Sequence, residues 1–143
     1  MDSRPTWNEY FRKLTELTAT RSTCERLHVG CILVKNNRII SQGYNGFLSG
    51  CSHVSHIIDG HEVATIHAEQ NALIQASRVG VSLQGATLYC SMTPCYTCAK
   101  LIINAGIVRV VAKQDYQAST QTKRIFKETK VKLEILDRNI TKY

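Results

Sequence analysis

The 143-residue chain is 43% hydrophobic and 20% charged, a balance that suits one globular domain, residues 1–143, and excludes a disordered or fibrous chain. Eighteen lysines and arginines against 11 acids give +7, which favours anionic partners, either phosphate-bearing small molecules or nucleic acid. The longest apolar runs, such as Cys31–Val34 and Ile107–Ala112, are too short for a bilayer, and the opening Met1-Asp2-Ser3-Arg4-Pro5 has no apolar signal core. A cytoplasmic location is therefore expected, with the six cysteines reduced and available to a metal rather than to disulfides.

Trp7, Tyr10, Phe11, Leu14 and Leu17 recur at helical spacing after Pro5, predicting a helix over roughly 6–23. Val29–Val34 reads as a strand, Lys35-Asn36-Asn37 as a turn and Arg38–Tyr44 as the second strand of a hairpin. Asn45–Gly60 is glycine-, serine- and histidine-rich and is expected to be a long loop, a feature that is usually functional inside a compact domain. Next comes a helix from about Ile66 to Arg78, stopped by Gly80, and a strand over Ala86–Ser91. A helix over Cys95–Asn104 with Gly106 as its stop, a strand over Ile107–Ala112, a helix over Ser119–Thr129 and a short last strand over Val131–Leu136 complete the chain. Strands alternating with helices after the first hairpin indicate an α/β sandwich with a mixed sheet.

The motif richest in chemistry is His67-Ala68-Glu69, followed 25 residues after Glu69 by Pro94-Cys95-Tyr96-Thr97-Cys98. One histidine and two cysteines make three ligands of the kind Zn²⁺ takes tetrahedrally, and three protein ligands leave a fourth position for water. Two cysteines three apart at a helix start can reach one metal, and the helix N-terminus favours thiolates. Zinc acidifies its water. Glu69, two residues from His67, is placed to take the water proton and pass it to the leaving amine. His-x-Glu with Pro-Cys-x-x-Cys is the signature of zinc deaminases, in which the glutamate is the acid/base and not a ligand. Alone, His-Ala-Glu would mean little, and Cys-x-x-Cys would also suit a redox pair.

Longer segments make the resemblance specific. Trp7-Asn8-Glu9-Tyr10-Phe11, Arg21-Ser22-Thr23-Cys24, Val29–Val34, Gly43-Tyr44-Asn45-Gly46-Phe47-Leu48-Ser49-Gly50, Ile66–Ala72 and Leu88–Lys100 follow in order. Over roughly residues 6–128 the chain resembles the deoxycytidylate deaminases of the cytidine deaminase superfamily. That resemblance implies a three-layer α/β/α sandwich with a five-stranded mixed sheet, and a homo-oligomer, often a hexamer. It also implies hydrolysis of dCMP to supply dUMP for thymidylate synthesis, with dCTP as an alternative substrate. On sequence alone Asn45 reads first as a turn residue beside Gly46; the resemblance reverses that, matching it to the residue that holds the deoxyribose hydroxyl. The Ala68 N–H would face the base carbonyl, and the Ser91 region would receive the exocyclic amine. Tyr116 fits an aromatic flanking the substrate or an ordinary surface tyrosine.

The same resemblance implies control by dCTP with Mg²⁺ as activator and dTTP as inhibitor, through the loop holding Gly43, Tyr44, Gly46 and Gly50. Leu48 stands where the family usually has proline, which leaves the loop's φ less fixed. Arg78 matches a family position on the helix after His67, or simply serves the helix end near Gly80. Arg21, Arg26, Arg78 and Lys113 are the phosphate candidates. Some relatives carry a second, structural zinc, which here would use Cys24, Cys51, His56 and His61, with His53 or Glu62 as substitutes; solvent-facing loop histidines are the plainer alternative. Cys31 and Cys90 read as small core residues. The rivals are a tRNA adenosine deaminase, a free-nucleoside cytidine deaminase, and a non-catalytic nucleic-acid-binding or competence accessory protein. Gln70-Asn71-Ala72 and the 43–50 loop oppose the first, and an intact Glu69 opposes the last, so nucleic acid is not the expected partner.

Overall fold

The computed structural model describes residues 3–141, so residues 1, 2, 142 and 143 of the expected domain lie outside the described residues. Helix α1 (Trp7–Ala19) starts where the Thr6 hydroxyl accepts from the Glu9 N–H at 3.1 Å, the usual work of an N-cap threonine. It ends four residues earlier than expected. The Thr18 and Thr20 hydroxyls bond back to the carbonyls of Leu14 and Leu17, and such bonds offer the backbone an alternative to further helix.

Strands β1 (Gly30–Lys35) and β2 (Arg38–Tyr44) form the expected hairpin. Its turn places Asn36 and Asn37 at φ 53° and 60°, the two positive values a type I′ turn requires and asparagine tolerates. Three more strands, β3 (Thr87–Met92), β4 (Arg109–Tyr116) and β5 (Lys132–Thr141), complete a sheet of order β2-β1-β3-β4-β5. β1 is antiparallel to both neighbours, while β3, β4 and β5 run parallel, so the sheet is mixed as expected.

Alternation along the central strands builds three layers. Cys31, Leu33, Leu88, Cys90, Val110 and Ala112 face a core shared with helices α2 (Ala68–Val79), α3 (Tyr96–Asn104) and α4 (Thr120–Glu128). Their neighbours Ile32, Val34, Tyr89 and Val111 face the other way, against Phe11 of α1. Two glycines let helices sit directly on strands. A Cβ on Gly30 would lie 2.3 Å from the Thr15 carbonyl of α1, and one on Gly43 would lie 2.5 Å from the Ala72 nitrogen of α2. The glycine of the 43–50 loop thus has a packing role at Gly43.

Three expectations need correction. The segment 45–60 is not wholly irregular: Gly46–Phe47 pairs with Thr65–Ile66, and Ile57–Ile58 pairs with His61–Glu62 around Asp59 and Gly60, both at positive φ. β4 runs four residues past Ala112, through polar Lys113-Gln114-Asp115 that a search for apolar runs passes over. β5 is a ten-residue strand rather than a short one, because parallel pairing with β4 continues past a register shift at Gln114/Asp115. No described helix is long and apolar enough to cross a membrane.

Candidate active site

The sheet delivers the His67 and Cys95 motifs to two helix N-termini. His67 is extended at φ −75°, ψ 155° and caps α2, with its N–H donating to the Gln70 side chain at 2.9 Å. Cys95 caps α3, its sulfur accepting from the Cys98 N–H at 3.5 Å. Both residues therefore lie one position outside the helices expected to contain them. The turn before Cys95 is clamped from two sides. The Thr93 N–H and hydroxyl both donate to the Gln114 carbonyl of β4, and the buried Thr122 hydroxyl of α4 donates to the Pro94 carbonyl at 2.8 Å.

Three donor atoms meet there. His67 Nδ1 is 3.2 Å from Cys98 Sγ and 3.5 Å from Cys95 Sγ. A tetrahedral ion with Zn–N near 2.0 Å and Zn–S near 2.3 Å sets such donors about 3.5 Å apart, so the trio fits zinc. Among the described residues it is the one group of three or more metal-binding side chains with ligand atoms within 4.8 Å of one another. The electrostatics also suit a cation. Bonds from the Cys98 thiol and the His67 ring, opposed by burial, pull the Cys95 pKa down to about 4, while the same Cys95 contact raises Cys98. The bond to Cys95 also raises His67.

Glu69 is 4% exposed in the first turn of α2. Burial raises its pKa, against the opposing pull of His67 and the Cys98 thiol. A carboxyl held above its ordinary range beside a cation-binding trio is suited to both taking and giving a proton.

His67, Glu69 and Cys95 line a cavity of about 360 Å³. Of the expected substrate-binding residues, Asn45, Ala68 and Tyr116 line it, and Arg26 and Glu62 stand in its wall. Asn45 is 9% exposed; its Oδ1 accepts from the Val29 N–H at 2.8 Å and its Nδ2 donates to the Leu27 carbonyl at 2.7 Å. Asn45 thus ties the 27–29 segment to the turn and also lines the cavity. The Ser91 side chain lies elsewhere, accepting from the Gly30 N–H at 2.9 Å, and the adjoining cavity wall is Met92 and Thr93. Sequence reasoning missed Thr93, Thr65 and Gln117; nothing in their local pattern separates them from ordinary loop and strand-end residues.

The second metal set is not brought together. Cys24 and His61 line the cavity, while Cys51 and His56 are exposed, and the four do not form a metal-sized cluster. Glu62 instead accepts from the His56 and Ala64 N–H groups at 3.1 and 2.9 Å, which lowers its pKa. His53 stacks on Phe47 at 5.2 Å. Cys31 and Cys90 are buried core thiols, each raised well above its ordinary range by burial.

The geometry agrees with what relatives show. Residues 5–114 match the family described as "Cytidine and deoxycytidylate deaminase zinc-binding region", and the chain belongs to that family. ComE operon protein 2 of Bacillus subtilis is 42% identical over 135 residues, covering 92% of this chain and 71% of that one. The deoxycytidylate deaminase of Saccharomyces cerevisiae is 40% identical over 137 residues, covering 87% of this chain and 43% of the yeast protein, so the chain spans less than half of that relative. Among solved structures, the dCMP deaminase of cyanophage S-TIM5 in complex with dCMP and dUMP has a TM-score of 0.83 at 32% identity, over 94% of this chain and 99% of that one.

Proposed function

We propose that this chain, as a single deaminase domain over residues 1–143, hydrolyses dCMP to dUMP and ammonia. The observation that carries the reading is the convergence of His67 Nδ1, Cys95 Sγ and Cys98 Sγ, with His67, Cys95 and buried Glu69 lining one cavity. His67, Cys95 and Cys98 would hold the zinc. When bound, zinc supplies water acidic enough to attack at neutral pH. Glu69 would take the first water proton on its carboxylate and deliver it to the ring nitrogen, then take the second proton from the hydroxyl newly added at the carbon and deliver it to the amine, which leaves as ammonia. The Ala68 N–H, at the first position of α2, has no partner within its helix and is free to donate to the base carbonyl. Asn45 offers the second hydrogen of its Nδ2 to the deoxyribose hydroxyl, and Tyr116 flanks the ring.

The finer parts of the reading rest on the family resemblance. These are deamination of dCTP, activation by dCTP with Mg²⁺, inhibition by dTTP and a hexameric assembly. One assay tests the core reading: purified protein with dCMP, dCTP, cytidine or a tRNA anticodon stem, followed by ammonia release. Release from dCMP supports it. Release from the tRNA stem alone, or from none of the four, overturns it.

A further inference from the structure

The three side chains that converge on the zinc position are not held alike. Cys98 lies inside α3 and is fully buried in the core beside Ala99 and Ile102. His67 caps α2, where its N–H is bonded to the Gln70 side chain. Cys95 is half-buried and stands just before the first residue of α3, so core packing fixes it less than Cys98. It follows the short turn Thr93-Pro94, and proline has no N–H with which to anchor that turn.

Two buried hydroxyls supply the anchoring. Thr93 is 2% exposed and bonds to the Gln114 carbonyl of β4 through both its N–H and its hydroxyl. Thr122, in the first turn of α4, has no exposed surface and donates to the Pro94 carbonyl at 2.8 Å. That carbonyl shares one peptide plane with the nitrogen and Cα of Cys95, so a bond to its oxygen fixes the base from which the Cys95 side chain projects. The other buried or helix-end threonines behave differently. Thr15, Thr18 and Thr129 each bond to the carbonyl four residues back along their own helix. At Thr122 the residue four back lies before the N-cap, Ser119, and the hydroxyl crosses instead to a turn 28 positions earlier.

Resting on the zinc reading above, we propose that Thr122 is a positioning residue for the Cys95 ligand, holding Cys95 Sγ through the Pro94 carbonyl at the spacing from His67 Nδ1 and Cys98 Sγ that zinc requires. Without the hydroxyl a buried carbonyl loses its partner, and the turn that carries Cys95 shifts to find another donor. Thr122 thereby acts on the metal without touching metal or substrate.

The test measures zinc affinity of the purified protein by competition with a chromogenic chelator, and the absorption spectrum after Co²⁺ replaces zinc. Thr122→Val is expected to lower zinc affinity roughly 10- to 100-fold, the span for losing a group that orients a metal ligand, and to shift the sulfur-to-cobalt charge-transfer band. Thr122→Ser keeps the hydroxyl and should restore both to near the wild-type values. Thr15→Val removes a buried hydroxyl bond of the same kind from α1, so it should lower the melting temperature and leave zinc affinity and the cobalt spectrum unchanged. Wild-type affinity and spectrum in Thr122→Val, or an equal fall in Thr122→Ser, would overturn the assignment. So would an equal fall in Thr15→Val, which would trace the loss to general loosening of the fold. If Thr122→Val does not fold, Thr122→Ala read against Thr122→Ser decides the question, because the two differ by the hydroxyl alone. A wild type that holds neither zinc nor cobalt overturns the zinc reading itself, a result distinct from a wild type that holds zinc no more tightly than Thr122→Val.

Discussion

The N-termini of α2 and α3 and the segment from Leu48 to Val63 hold similar side chains and use them differently. Each offers histidine and cysteine. At the helix starts, three donor atoms lie within 4.8 Å of one another; along the segment, Cys51, His53, His56 and His61 are all exposed. The contrast lies in what carries the residues. His67 and Cys95 are N-caps of helices packed on a five-stranded sheet, and the Thr93–Pro94 turn is bonded to both β4 and α4. The segment is held by two-residue ladders, one ring stack and the carboxylate of Glu62. Ligand composition proposes a metal site; rigid elements at fixed spacing make one.

The largest expected effect comes from the helix-start ligands. Cys98→Ser should lose zinc and with it all measurable turnover, because Cys98 is fully buried and supplies one of the three ligand atoms that meet there. Metal content by mass spectrometry checks this, and wild type should carry one zinc per chain. Two per chain, falling to one in Cys51→Ser, would erase the contrast by showing that the segment closes over Cys24. Next in size, Glu69→Gln should keep its zinc and lose about 10²–10⁴-fold in kcat, the usual span for a general acid–base group. A variant retaining more than a tenth of the wild-type rate would remove Glu69 from the chemistry.

Much of this arrangement was legible from residues alone, for a physical reason. Continuous apolar runs mark strands buried on both faces, so β1 and β3 fall within a residue or two of their expected limits, and the Lys35-Asn36-Asn37 turn sets the start of β2. His67-Ala68-Glu69 and Pro94–Cys98 stood out because ligand, acid and helix start coincide within a few residues. The illegible parts depend on distant partners. The ends of β4 and β5 are set by each other's pairing, and Thr122 supports Pro94 from 28 residues away. Gly43 invited a reading as a phosphate-loop residue, yet its neighbour in space is the α2 backbone, which no local pattern reveals.

Gly43 therefore offers a way to sharpen the comparison by stability. In Gly43→Ala the new Cβ would meet the Ala72 nitrogen at 2.5 Å and the Ala68 carbonyl at 2.7 Å, both backbone atoms, so the first turns of α2 must move. Overpacking of this kind costs about 1–3 kcal/mol. Gly50→Ala meets nothing within 4 Å and should cost less, about 1 kcal/mol from its positive φ alone. Thermal melts should rank Gly43→Ala below Gly50→Ala, with turnover reduced in the former because His67 and Glu69 sit on the displaced end. Equal melts would mean that α2 is not seated on β2 as described.

The smallest effect concerns a turn that behaves like the helix starts although it is irregular. Asp115 is 4% exposed at the end of β4; it accepts from the Tyr116 N–H at 2.9 Å and from Lys123 of α4 at 2.5 Å. It thereby holds Tyr116, Gln117 and Ala118 against the cavity. Burial pushes the Asp115 carboxyl up, but Lys123, Ser119 and the Tyr116 N–H together hold it below its ordinary value. A carboxylate with a lowered folded pKa stabilises the fold above its unfolded pKa, about 3.9, and that stability is lost as pH falls through the lower folded value. Asp115→Asn should therefore cost ~1 kcal/mol at pH 7, and the gap to wild type should narrow below about pH 4. Urea unfolding of both proteins at a series of pH values reads this gap directly, and loss of zinc in acid, common to the two, cancels in the difference. A gap that stays constant across the acid range would show that Asp115 acts by shape rather than charge, and the turn would then belong with the loosely held segment rather than with the helix starts.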